Sequence, residues 1–162
     1  MTQKIPAPDL ETLLSLFYQD AAEFGAIAAT PAAEMPAAAR KLLDHQHHMT
    51  VTVEDHHDCE VDVQVLETLF DGQACSRKIL LTKQTDRKVV QFGIVRLNFE
   101  FLATHVQQEI MAEETPLGRI LINHNVLRRV ELSQLWKIQE YYRWTRRPAL
   151  LHIYSGLVQA GK

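Results

Sequence analysis

The sequence predicts an α+β fold: an antiparallel β-sheet with helices grouped on one side. Three observations predict it. Strand-like runs at Val61–Val65, Arg77–Lys83 and Lys88–Leu102 follow one another across connections of hairpin length. Helix-spaced apolar residues lie before them, from Leu10, and after them, from Thr104. A chain of 162 residues, 46% apolar and 23% charged, suits a single domain, 1–162, with a sizeable core.

In chain order, Leu10, Leu13, Leu14, Phe17 and Ala21 follow Pro8-Asp9 at helical spacing and predict a helix over 9–22. Ala22–Ala38 is rich in alanine and carries Pro31 and Pro36, which predicts a loosely held connection with at most a turn of helix. Pro36–Leu43 reads as a short second helix ending near Asp44-His45. Thr50-Val51-Thr52-Val53 is β-branched but runs into Glu54–Asp58, so strand and helical turn both stay open. Val61, Val63 and Val65 alternate with polar residues, as in a half-buried strand. Asp71-Gly72-Gln73 and Gln84–Arg87 predict the turns on either side of the Arg77–Lys83 strand.

Thr104–Glu113 predicts a helix, and Thr115-Pro116-Leu117-Gly118 a second helix start, with Thr115 as N-cap and Pro116 in the first position. Arg128–Ile138 alternates in part, with Val130, Leu132 and Leu135 inward. Tyr141–Trp144 reads as a strand or its entry, Arg146-Arg147-Pro148 as a turn, Ala149–Tyr154 as the final strand and Ser155–Lys162 as a frayed tail.

A net charge of −3 does not suggest a nucleic-acid partner. No apolar run approaches the ~18 residues of a membrane span, and Met1–Asp9 is too polar for a signal peptide. Cys59 and Cys75 in a chain of this kind read as reduced thiols, so a cytoplasmic setting is expected. The expected oligomeric state is monomer or weak dimer.

The helix start at Leu117-Gly118 is a candidate anion site. Its first backbone N–H groups have no partner inside the helix, and Gly118 has no side chain to block a ligand carboxylate. A well-capped helix with no ligand is the other reading. Arg77 opens an otherwise apolar strand; it is either a surface charge or a buried fork that grips a carboxylate. Arg119 is a second carboxylate partner or a salt-bridge partner of Glu114. His45, His47, His48, His56 and His57 crowd thirteen positions beside Asp44, Asp55, Asp58 and Cys59. Their spacing matches no established zinc pattern, so no metal is assigned and the segment reads as a solvated turn. No serine lies in a GxSxG context, and no glycine-rich phosphate loop occurs.

Together these segments resemble the chorismate lyase family. Thr115-Pro116-Leu117-Gly118-Arg119 is similar to that family's Thr-Pro-Leu-Gly-Arg helix start. Leu42-Leu43 followed by Met49-Thr50 resembles its Leu-Leu, gap, Met-Thr segment, and Arg77-Lys78-Ile79-Leu80-Leu81 its Arg-Glu-Ile-Leu-Leu strand. Leu135-Trp136 and Arg146–Leu151 resemble the end of the family sequence, so the likeness runs from about Leu10 to Tyr154.

The resemblance implies a twisted antiparallel sheet with helical flaps over an aromatic ligand. It also implies conversion of chorismate to 4-hydroxybenzoate and pyruvate without metal or organic cofactor. By the same resemblance Arg77 holds a ligand carboxylate, and the backbones around Met49 and Leu117 add contacts, with Gly118 and Arg119 beside them. The family's last-strand glutamate falls at Ile153, and no acidic residue lies between Glu140 and Lys162. His152 or Tyr154, one residue either side, would have to hydrogen-bond the reacting hydroxyl in its place. The alternative is a non-catalytic protein that binds an aromatic carboxylate such as a hydroxybenzoate, as a related fold does in the effector-sensing domains of some bacterial transcription regulators.

Overall fold

The computed structural model describes residues 9–20, 23, 26–45, 47–126, 128–138 and 150–158; within the last two stretches it describes the side chains of 134–137 alone. The chain clusters into two compact units. One comprises Met1–Gln46 and Val130–Gly156, the other His47–Arg129 and Leu157–Lys162.

The first unit opens with helix α1, Leu10–Ser15, whose N-cap Asp9 accepts the Thr12 N–H at 2.7 Å. The helix predicted over 9–22 stops early because its bonds tighten: Leu16 and Phe17 donate three residues back, to Leu13 and Leu14. The described part of Ala22–Ala38 carries more regular structure than its composition predicts. It contains strand β1, Ile27–Ala29, and a 3-10 turn at Ala32–Glu34. Helix α2, Ala37–Leu43, follows Pro36, whose missing N–H costs nothing at a helix start. Strand β1 pairs antiparallel with β5, Arg128–Ile138, through Ile27↔Ile138, Ala28↔Lys137 and Ala29↔Trp136. Strand β6, Leu150–Val158, completes the sheet in the order β1-β5-β6. It runs beyond the predicted Tyr154 end; Tyr141–Trp144 and Arg146–Pro148 lie outside the described residues.

The second unit carries helix α3, Met49–His57, and strands β2, Val61–Phe70, β3, Ala74–Lys83, and β4, Val89–Asn98. Its sheet is antiparallel in the order β2-β3-β4. The described residues thus form two three-stranded sheets where one was expected. Thr50–Val53 forms helix despite its β-branched residues. Thr50 and Val53 are buried, and the Thr52 hydroxyl donates to His48 O four residues back. The first hairpin turns where predicted. Gly72 takes φ +94°, and Asp71 Oδ1 accepts the Gln73 and Ala74 N–H groups at 3.0 and 2.7 Å. Those backbone donors hold the Asp71 carboxyl below its ordinary range.

A 3-10 turn at Phe99–Phe101 leads into helices α4, Thr104–Ala112, and α5, Leu117–Asn123. Two apolar clusters form the unit's core. One gathers Cys75, Phe99, Leu102, Val106, Ile110, Ile120 and Leu121; the other gathers Val53, Val61 and Leu81, with Met49, Val63 and Ile79 packed against it. No helix among the described residues is long and apolar enough to cross a membrane.

Burial holds His57, in the last turn of α3, below the ordinary imidazole value of 6.5; His56 and Lys83 add to the effect and Asp86 opposes it. The unfolded chain therefore binds this proton more readily than the fold does. Stability from this group is full above about pH 6.5 and declines as pH falls from there through the lower folded value. Denaturant midpoints measured from pH 5 to pH 8 should rise with pH, and His57→Gln should flatten that slope.

Candidate functional site

Along β3, Cys75, Arg77, Ile79 and Leu81 alternate onto one face of the sheet. Cys75 belongs to the α4–α5 cluster, whereas Ile79 and Leu81 belong to the α3 cluster. Arg77 stands between the two at 5% exposure, buried rather than at the surface. Its Nη2 donates to Ile110 O at the C-terminal end of α4, where the helix dipole favours a cation. The same carbonyl accepts the Glu113 N–H at 3.2 Å. The Arg77 Nε–H is buried and has no acceptor among the described residues, and none of their carboxylates forms an ion pair with it. Thr68, directly across from Arg77 on β2, donates to Glu113 Oε1 at 2.5 Å.

The beginnings of α3 and α5 meet beside this strand. The α5 N-cap is Pro116, not Thr115, and no side chain caps the helix. Arg119 and Ile120 donate to Pro116 O at 3.0 and 3.2 Å, so the Leu117 and Gly118 N–H groups lie ahead of the helical ladder. A β-carbon on Gly118 would sit 2.8 Å from Thr50 Oγ1, 3.1 Å from Thr50 Cβ and 3.2 Å from His48 Nδ1. The glycine is thus required for helix approach: the space beside it holds the first turn of α3. Leu117 packs against the α4–α5 cluster and Met49 against the α3 cluster, so both flank the face that carries Arg77.

Arg119 pairs with Glu54 rather than Glu114. Its Nη2 reaches both carboxylate oxygens at 2.5 and 2.6 Å, and Glu54 Oε1 also accepts the Val61 N–H at 3.1 Å. One carboxylate therefore joins α5, α3 and the start of β2. Nothing in the sequence marked Glu54, which lies 65 positions from its partner. His152 and Tyr154 fall on β6, in the stretch whose side chains lie outside the described residues. In the histidine segment, His45 Nε2 lies 2.7 Å from Leu42 O, and the rings of His56 and His57 meet edge to face at 4.9 Å. Among the described residues no three potential metal ligands converge.

Chemically, this face offers a buried guanidinium whose Nε–H has no acceptor among the described residues, between two apolar clusters. That set suits a carboxylate attached to a ring. Neither a protein-family model nor a curated protein matches this chain.

Gly118→Ala forces a methyl group into Thr50 and should destabilise the fold by about 1–3 kcal/mol. Urea denaturation checks this. Adding Thr50→Ala, which removes the nearest oxygen, should recover part of the loss.

Proposed function

We propose that this chain binds a cyclic or aromatic carboxylate on the Arg77 face of the β2-β3-β4 sheet. We further propose that it acts as a chorismate lyase-type enzyme, releasing 4-hydroxybenzoate and pyruvate. One observation carries the reading: a guanidinium at 5% exposure whose Nε–H has no acceptor among the described residues. Arginine cannot shed its charge on burial, and stripping water from a charge is costly unless a partner replaces it. A ligand carboxylate supplies that partner, bonding Nε and a terminal nitrogen side by side. Met49 and Leu117 form apolar boundaries for the ring. Arg119, held by Glu54, positions the helix start instead of touching ligand.

In the reaction, the ring loses its ether side chain as the enol of pyruvate and a proton from the hydroxyl-bearing carbon. Both losses lead to the aromatic product, so binding and orientation supply much of what the protein must add. The likeness of Met49-Thr50, Arg77–Leu81 and Thr115–Arg119 to chorismate lyase segments supports this assignment. A second reading, binding of a hydroxybenzoate without turnover, is favoured by one specific observation: no acidic residue lies between Glu140 and Lys162 to act where the family has its glutamate.

Purified protein incubated with chorismate should form 4-hydroxybenzoate, followed by absorbance and mass. Absence of product with retained calorimetric binding of 4-hydroxybenzoate selects the second reading; absence of both overturns the carboxylate site. Arg77→Met separates ligand binding from a purely structural role. Ile110 O keeps its bond from Glu113, and the uncompensated charge is gone, so the melting temperature should hold or rise while binding is abolished. A melting temperature that falls with binding intact would assign Arg77 to helix capping alone.

A further inference from the structure

The face that carries Arg77 also holds a carboxylate that stands off it. Thr68 lies directly across from Arg77 on β2, so the two side chains leave the sheet on one face as neighbours, with β-carbons about 5 Å apart. The Thr68 hydroxyl donates to Glu113 Oε1 at 2.5 Å. Glu113 is half-buried, and its own N–H donates to Ile110 O at 3.2 Å. The same oxygen accepts from Arg77 Nη2. Guanidinium and glutamate backbone therefore meet at one carbonyl, while the glutamate side chain is bonded to the residue opposite the arginine. Yet among the described residues Arg77 and Glu113 form no ion pair. A carboxylate within a side chain's swing of a buried cation is drawn to it, because little water screens the two. Here the Thr68 hydroxyl holds that carboxylate instead.

We propose that Thr68 is a positioning residue of the carboxylate site: it withholds Glu113 from Arg77 and so keeps the guanidinium Nε–H for an acid from solution. Glu113 is then an internal competitor of that acid, restrained by one hydrogen bond. This rests on the Arg77 reading and adds a control on the same site. Without the hydroxyl, Glu113 is tethered beside Ile110 O at high effective concentration and swings onto Arg77. A site blocked in a fraction of molecules shows an affinity lowered to match the fraction left open. If the bond only tied the end of α4 to β2, its loss would loosen the fold, and no second change at Glu113 would repair binding.

Calorimetric titration of the full chain with 4-hydroxybenzoate, alongside melting temperatures, tests this on wild type, Thr68→Val, Glu113→Gln and the double variant. Thr68→Val should bind about ten-fold more weakly, the worth of one charge-assisted hydrogen bond, and melt no lower than wild type because Arg77 gains a counter-charge. The double variant should regain wild-type affinity, since glutamine brings no charge to compete. Glu113→Gln alone should bind at least as tightly as wild type, because its amide oxygen still accepts the Thr68 hydroxyl. Thr68→Ser keeps the hydroxyl and should bind as wild type does. If Thr68→Val fails to fold, Thr68→Ala carries the same expectations. Unchanged affinity on loss of the hydroxyl, or a loss that Glu113→Gln does not restore, overturns the role of Thr68 alone. Wild type that binds no 4-hydroxybenzoate sinks the Arg77 reading and the role of Thr68 with it.

Discussion

Burial of the Arg77 guanidinium is the constraint around which the second unit is arranged. A charge at 5% exposure must be met by oriented dipoles or by a counter-charge. The fold supplies part of this by ending α4 over the strand, so that Ile110 O, at the negative end of the helix, accepts from Nη2. The chain then leaves α4 through Glu113 in the left-handed region at φ 61°, and the Glu113 side chain takes the Thr68 hydroxyl on the neighbouring strand. Helix end, strand pair and guanidinium are locked together, yet Nε has no acceptor among the described residues. A purely structural arginine in this position would be expected to use its buried donors fully.

The helix starts beside Arg77 are held by two different devices. Gly118 allows α5 to approach α3 closely, and the Arg119–Glu54 pair fastens the same two helices while Glu54 also takes the first N–H of β2. The pair is only partly exposed on the carboxylate side, at 14%, against 37% for the arginine, so its worth lies more in fixing register than in Coulomb energy. Both devices fix the start of α5 against α3.

Arg77 Nε and Gln91 Oε1, both buried and without a partner among the described residues, belong to rungs of one sheet face on either side of the Ile79–Gly93 rung. Native interiors leave few such atoms, because each costs desolvation without a bond in return.

The sequence by itself determined the α+β class, the antiparallel β2-β3-β4 hairpins and the helix starts, because these rest on local signals: alternation, Asp-Gly turns and proline at helix beginnings. It marked Arg77, Met49 and Leu117 through short motifs. Strand β1 was not legible, since an alanine-rich segment has weak strand preference and becomes a strand only by pairing with β5, more than a hundred positions away. Two choices that the sequence left open were settled by tertiary packing. Whether Arg77 is buried depends on where α4 ends, and whether Arg119 is free depends on Glu54, a residue 65 positions away.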